Sequence, residues 1–205
     1  MKSHCVLLLA LLGAAPTLAQ APDKGMLLVA TQELRDPRFS ETVVLLLHYG
    51  PEGALGVAIN RPTWVDPLAA FPDMEFLERY SGTIYIGGPV ARANVLVLVS
   101  DPEIDAPETE PVFDGVYVSA DPEFLRGVVA TANTDQSLRL YAGHASWEAG
   151  QLDREIAAGH WQIVPADTDL VFAREPLELW RQMLTLGSEM SVSLPFEESA
   201  VAALP

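Results

Sequence analysis

Apolar residues recur along this chain in short runs, and each run is bounded by Gly, Pro, Asn or Asp. Short runs rich in Val, Ile, Leu and Tyr between turn residues are typical of β-strands that are buried in a sheet. The sequence therefore predicts eight strands, over residues 26–31, 42–49, 54–60, 83–87, 95–99, 115–119, 137–145 and 160–165. The four-residue link Gly50–Gly53 predicts a hairpin between the second and third strands.

Helical spacing of apolar residues appears in four other stretches. It predicts helices over residues 67–79 (broken by Pro72), 121–131, 147–158 and 176–186. Ser146 is expected to cap the third helix and Gly159 to end it, with Leu152 and Ile156 facing the core. The polar residues of that helix are expected to face mostly outward: Glu148, Gln151, Asp153, Arg154 and Glu155.

The last helix is expected to bury Leu177, Trp180 and Leu184 on one face and to end at Gly187. Strands outnumber helices in this pattern, and hairpin links mix with helical crossovers. The pattern therefore predicts a single domain of the α+β (mixed α/β) class.

The first residues have the pattern of an export signal. Lys2 precedes the apolar run Cys5–Ala15, Pro16 breaks it, and the small residue Ala19 follows. The run is shorter than the about 20 apolar residues that a membrane-spanning helix needs. We therefore expect a signal peptide over 1–19, a domain over 20–187 and a loose tail over 188–205.

That organisation predicts a periplasmic or secreted protein with no membrane span in its mature chain. A buried N-terminal helix or a wrongly chosen start codon is the alternative, and it would leave the protein in the cytoplasm. Cleavage after Ala19 would also remove Cys5, the only cysteine. The mature chain would then have no disulfide, no thiolate nucleophile and no cysteine-bound metal.

Charge narrows the possible partners. The chain has 12 basic and 28 acidic residues, and loss of Lys2 with the signal leaves 11 − 28 = −17. Nucleic-acid-binding proteins usually carry a basic face that replaces counterions on phosphate, and this sequence has no cluster of Lys or Arg. Direct nucleic-acid binding is therefore disfavoured.

The sequence offers little catalytic chemistry. No G-x-S-x-G motif is present, although His144 and Ser146 lie two apart and would point the same way on a strand. The spacing of His48, His144 and His160 matches no metal-binding motif, so we expect neither a metal nor a cofactor. Gly87–Pro89 follows a strand but lacks a phosphate-binding motif, and it predicts a tight turn that needs glycine dihedrals.

Several longer motifs together resemble the YqgE/AlgH family of uncharacterised bacterial proteins. The resemblance is carried by LLVAT and LRDPRFSETVVLLLHYGPEGALGVAINRP within residues 27–62, IGGPV at 86–90, AGHASWEAGQLDREI at 142–156, Trp161, and DLVF with LW within 169–180. It extends over residues 26–187 and implies a compact α+β fold with a bent, partly barrel-like mixed sheet and flanking helices.

The resemblance implies no agreed activity and no catalytic residues. Some family members are described as transcriptional regulators, but they usually start near the equivalent of Met26 and are taken as cytosolic. The predicted export signal and a charge of −17 disagree with a regulatory role in the cytosol.

We therefore expect a non-enzymatic domain that binds a protein partner or a small ligand through its polar turns. The alternatives are a transcriptional regulator, by family analogy alone, and an unrecognised hydrolase that uses His144. The candidate binding residues are Asp36, Arg38, Asn60, Arg61, Gly87, Gly88, His144, Ser146, Trp147 and Gln151. Each of these turn residues has a purely structural alternative, because turns require Asp, Asn and Gly for backbone reasons.

Overall fold

The computed structural model describes residues 21–100, 111–113, 115–131 and 137–192. The predicted signal peptide, most of the acidic loop 101–114 and the last part of the predicted tail lie outside these residues.

All eight predicted strands are present. They are β1 (Met26–Ala30), β2 (Val43–Gly50), β3 (Gly53–Ala58), β4 (Ile84–Ile86), β5 (Val90–Ser100), β6 (Val116–Ser119), β7 (Leu138–Glu148) and β8 (Trp161–Pro165). They form one sheet in the order β6-β5-β7-β3-β2-β1-β8, and β4 is an additional partner of β7. The sheet does not close, because β6 and β8 remain at its two edges.

Strand β7 holds the sheet together by changing partners along its length. Its first half pairs antiparallel with β5 and parallel with β4, as in the register Ile84↔Leu140. Its second half pairs antiparallel with β3, as in Leu55↔Ser146. Gly143 lies between the two halves with a φ of 71°, a conformation that costs glycine little.

The end of β4 fills the space where β3 and β7 separate. The N–H of Ala58 donates to Gly87 O (2.8 Å), and the N–H of Gly87 donates to Ala142 O (3.0 Å). A Cβ at Gly87 would lie 2.2 Å from Gly143 O, and one at Gly88 would lie 2.1 Å from the carbonyl carbon of His144. Neither Gly87 nor Gly88 has a positive φ. The predicted reason for these glycines was therefore wrong: they are needed for close backbone approach.

Five α-helices and one 3₁₀ helix cover the described parts of the sheet. They are α1 (Pro67–Ala70), the 3₁₀ helix Glu75–Arg79, α2 (Pro122–Thr131), α3 (Gln151–Ala157), α4 (Thr168–Val171) and α5 (Pro176–Val192). The core consists of three apolar clusters, packed against α4 and α5, against α2 with the 3₁₀ helix, and against α3. No helix in the described ranges is long and apolar enough to cross a membrane. The predicted α+β class is confirmed.

The helix predicted over 147–158 begins later than expected. Strand β7 continues to Glu148, and α3 starts at Gln151 after Gly150, whose φ is 66°. Ser146 pairs with Leu55 in the sheet, so the prediction that Ser146 caps the helix was wrong. The alternation of buried and exposed residues continues through Trp147, because its indole packs in the cluster beneath α3.

The last helix is longer than expected. Helix α5 runs to Val192, so Gly187 does not end it, and residues 188–192 of the predicted tail are helical. Leu177 is 63% exposed, whereas Leu179 and Met183 are buried, so the buried face is rotated from the predicted one. Trp180 packs against the core as predicted and donates its indole N–H to Ala30 O (2.6 Å).

Candidate functional site

A cleft of about 540 Å³ lies between the segment after β1 and the junction of β7 with α3. Five of the ten predicted binding residues line it, although they come from distant parts of the chain: Asp36, Arg38, Ser146, Trp147 and Gln151. The remaining lining residues are Glu33, Leu34, Arg35, Phe39, Pro89, Val90, Glu155, Ala158 and His160. The start of β5 and helix α3 therefore both contribute residues to the lining of the cleft.

The base of this cleft is fixed by a carboxylate that accepts three hydrogen bonds. Glu155 Oε2 accepts from the indole N–H groups of Trp147 (2.9 Å) and Trp161 (2.8 Å). Glu155 Oε1 accepts from the amide of Gln151 at 2.9 Å. We call Trp147, Gln151, Glu155 and Trp161 the indole–carboxylate cluster. Glu155 was predicted to face mostly outward with the other polar residues of the helix, but it is half-buried and its carboxylate points to the two indoles.

Phe39 joins the segment after β1 to the indole–carboxylate cluster. Its ring stacks on Trp147 with centroids 6.1 Å apart and meets Trp161 edge-on at 5.9 Å. The two indoles meet each other edge-on at 6.0 Å. Edge-on and offset aromatic pairs at these distances are favourable beyond the area that they bury. The rim and the base of the cleft are therefore held in one rigid unit.

Asp36 and Arg38 form an ion pair at the rim. Arg38 Nη2 lies 2.6 Å from Asp36 Oδ2, and the N–H of Arg38 donates to Asp36 Oδ1 at 2.9 Å. The hydrogen bond from the Arg38 side chain lowers the pKa of the Asp36 carboxyl from its ordinary value. The same bond raises the pKa of the Arg38 guanidinium. The pair is exposed, so its main effect is to orient the guanidinium across the turn.

A narrower groove of about 140 Å³ adjoins the cleft and shares Arg38, Phe39 and Pro89 with it. The other residues that line the groove are Ala58, Arg61, Ile86, Gly88 and Arg92. Arg61 is half-buried and donates from Nη2 to Ser40 O at 2.9 Å. Removal from water lowers the pKa of the Arg61 guanidinium. We call this groove the arginine groove, because Arg38, Arg61 and Arg92 line it.

Three predicted binding residues have other positions. Asn60 is buried, where its Oδ1 accepts from the N–H of Val43 (2.9 Å) and its Nδ2 donates to Glu41 O (2.9 Å). That contact holds Glu41, whose φ is 54°. The backbone of Gly87 forms hydrogen bonds with Ala58 and Ala142 in the neighbouring strands. The side chain of Asn60 and the backbone of Gly87 therefore have structural roles.

The third, His144, pairs with Val90 across the sheet and lines neither the cleft nor the groove. Within the described chain no hydrogen bond joins His144 to Ser146, whereas a nucleophile and its base lie within hydrogen-bond reach in a hydrolase. Nor do the described ranges bring three or more His, Cys, Asp or Glu together in a possible metal site.

A separate cavity of about 740 Å³ lies on another part of the sheet, beside the buried Arg139. Arg139 Nη1 donates to Val171 O at 2.8 Å, and its guanidinium lies 4.8 Å from the ring of Tyr85 and 5.6 Å from that of Phe172. A guanidinium with several donors suits the carbonyl groups at the end of a short helix. Arg139 thus anchors α4 to the sheet.

Sequence reasoning missed other residues of the cleft and groove, among them Phe39, Arg92, Glu155 and His160. The spacing of Gln151 and Glu155 at i, i+4 on α3 was a usable signal, since such residues are neighbours on a helix. No local signal marks Arg92, because its place in the groove depends on the pairing of β5 with β7.

The sequence profile of the AlgH-like family matches residues 27–191 of this chain. A UPF0301 protein of Streptomyces coelicolor is 37% identical over 168 residues, which are 78% of this chain and 84% of that protein. A UPF0301 protein of Idiomarina loihiensis is 32% identical over 161 residues, covering 76% of this chain and 86% of that protein.

Two solved structures have the same fold. A crystal structure of a Corynebacterium diphtheriae protein superposes with a TM-score of 0.67 and 26% identity, covering 82% of this chain and 88% of that one. The solution structure of AlgH from Pseudomonas aeruginosa gives a TM-score of 0.65 at 24% identity, covering 94% and 98% of the two chains. The predicted family is confirmed: this chain belongs to the AlgH-like, or UPF0301, family.

Proposed function

We propose that this protein is a small-molecule-binding domain whose site is the cleft between the Asp36–Arg38 turn and helix α3. The observation that carries the proposal is that residues from four separate segments converge on one concave site. Five of these residues are among those that the sequence predicts: Asp36, Arg38, Ser146, Trp147 and Gln151. Convergence of this kind is typical of a ligand site on a rigid scaffold.

The dimensions of the cleft favour a small molecule over a protein surface as the occupant. Its volume of about 540 Å³ lies within the range of about 300–1,000 Å³ that is typical of ligand pockets. A stable protein partner instead covers a broad patch of about 800 Å² on each side. An extended protein segment is the remaining alternative, since it would fit a concave site of this size.

The walls of the cleft combine apolar faces with hydrogen-bonding groups. Phe39 and Trp147 provide aromatic surface, while Ser146, Gln151 and His160 provide donors and acceptors. The indole–carboxylate cluster holds these walls in place through its three hydrogen bonds. A preformed site binds more tightly, because less conformational freedom is lost on binding.

The hydrolase alternative gains no support from this geometry, because His144 lies outside the cleft. The regulator alternative rests on family analogy alone, which is not evidence about this site. Binding is therefore the function that the cleft supports best.

Saturation-transfer NMR with a library of small polar fragments tests the proposal. Ser146→Phe should fill the cleft, since Ser146 lines it from an exposed position on β7. Glu148→Phe is the matched control, because Glu148 is also exposed on β7, two residues further on, and does not line the cleft. Fragments should bind the unchanged protein and Glu148→Phe but not Ser146→Phe.

Two results would overturn the proposal. One is that no fragment binds the unchanged protein. The other is that every bound fragment binds Ser146→Phe equally well. Circular dichroism of both variants shows whether the fold is retained.

A further inference from the structure

The arginine groove has a charge opposite to that of the molecule as a whole. Three of its eight lining residues are arginines and none is acidic, whereas the chain has 28 acidic and only 12 basic residues. The three come from the segment after β1, the segment after β3 and strand β5. The fold therefore gathers scarce positive charges at one place, next to the cleft.

Two of these three charges lack a carboxylate partner in the described chain. Arg38 is paired with Asp36. Arg61 is half-buried, and its hydrogen-bond acceptor is the neutral carbonyl of Ser40. Arg92 is exposed and makes no ion pair with any described residue. The groove thus carries net positive charge.

Partial burial of the Arg61 guanidinium, whose described acceptor is a neutral carbonyl, is unfavourable. Loss of hydration on burial lowers the pKa of its guanidinium, and among the described residues Arg61 forms no ion pair with a carboxylate. Burying a charge is costly unless the charge is paired. An anion that enters the groove would supply the missing partner and remove that cost.

We propose that the arginine groove holds the oxyanion group, a phosphate or a carboxylate, of a small molecule whose remaining part lies in the adjoining cleft. This inference rests on the proposed binding function and names its ligand class. Planar guanidinium groups present paired N–H donors that match the oxygens of both kinds of anion.

The groove and the cleft adjoin each other, so one ligand would extend from the groove into the cleft. Arg38, Phe39 and Pro89 line both of them, so they form the boundary that the ligand crosses. The groove, at about 140 Å³, has room for the charged group, and the cleft, at about 540 Å³, has room for the organic part. Acidic side chains line the cleft and none lines the groove, which fixes the orientation of the molecule.

Titrations of the ¹⁵N-labelled protein with inorganic phosphate, pyrophosphate and succinate, at constant ionic strength, test the proposal. Backbone amide shifts should concentrate at Ile86, Gly88 and Arg38, which line the groove. Tighter binding of phosphate and pyrophosphate than of succinate identifies the group as a phosphate, and the reverse order identifies it as a carboxylate.

Two variants distinguish anion binding at the groove from a general electrostatic effect of the protein's net charge. Arg92→Ala should weaken anion binding at least about fivefold, because it removes charge-assisted contacts. Arg181→Ala is the matched control, because it changes the net charge of the protein by the same amount. Arg181 is exposed on α5, where it pairs with Glu178. It should leave the affinity unchanged.

Equal losses in Arg92→Ala and Arg181→Ala, or shifts spread over the whole surface, would overturn the anion site. If fragments bind the cleft but no anion binds the groove, the inference fails and the proposed function stands. If anions bind the groove while Ser146→Phe blocks no fragment, the proposed function fails and the groove alone is supported.

Discussion

Replacement of Glu155 is the most direct way to probe the base of the cleft. Its carboxylate accepts two indole N–H bonds and one amide bond, at 2.8–2.9 Å. Glu155→Ala removes all three and leaves two partly buried indole donors, on Trp147 and Trp161, without a partner. Glu155→Gln retains the shape and one oxygen acceptor but removes the negative charge.

The expected loss of stability follows from these three hydrogen bonds. A hydrogen bond to a charged group contributes about 1.5–3 kcal/mol, and Glu155 is half-buried, so solvent weakens each bond. We expect Glu155→Ala to lower the free energy of unfolding by about 3 kcal/mol and Glu155→Gln by about 1 kcal/mol. For a domain of this size, about 3 kcal/mol lowers the melting temperature by roughly 6–12 °C.

Urea unfolding, followed by tryptophan fluorescence and circular dichroism, measures these differences. Glu148→Ala is the control, because it removes an exposed carboxylate from the neighbouring strand end and changes the net charge equally. If Glu155→Ala lies within about 0.5 kcal/mol of this control, the indole–carboxylate cluster does not stabilise the fold and the reasoning is wrong.

Other substitutions test the sheet and the rim. Gly88→Ala should destabilise by at least about 2 kcal/mol in urea unfolding, because its Cβ would lie 2.1 Å from the backbone of β7. Gly127→Ala, whose added Cβ would meet no atom within 4 Å apart from its chain neighbours and its own helix backbone, should stabilise helix α2 by about 0.5–1 kcal/mol. Equal effects at both glycines would contradict the account of close approach. Asn60→Ala should cost about 2 kcal/mol in the same assay, since it leaves a buried backbone N–H unpaired, and a loss below about 0.5 kcal/mol would argue against that role. Asp36→Asn should cost less than about 1 kcal/mol at neutral pH, because the ion pair with Arg38 is exposed. Arg38 lowers the pKa of Asp36, so this difference is present above the ordinary carboxyl pKa of 3.8 and shrinks as pH falls through the lowered value; a thermal-unfolding difference that grows in acid would contradict it.

Much of the fold followed from local pattern. Short apolar runs between turn residues located all eight strands, because a buried strand needs consecutive apolar side chains whatever its neighbours are. Element ends were less well determined. Ser146 has the chemistry of a helix cap, but the burial of Trp147 against Trp161 and Phe39 extends the strand past it.

The candidate site was predicted in part. Seven of the ten predicted residues line the cleft or the groove, whereas Asn60, Gly87 and His144 do not. Polar side chains and glycines at turns were the basis for predicting the residues of both groups, those that line the cleft or groove and those that do not. A polar turn residue that binds a ligand and one that holds the backbone use the same atoms, so sequence alone does not separate them.

The sequence by itself determined the strands, the α+β class, the scarcity of positive charge and seven of the residues that line the cleft or the groove. Only the tertiary structure decided how they meet. The change of partners along β7 brings Arg92 beside Arg61 and Gly88, and the packing of α3 brings Glu155 within hydrogen-bonding distance of two indoles. These contacts join residues that are far apart in the chain, and local periodicity carries no information about strand order or about which side chain supplies the acceptor for a buried donor.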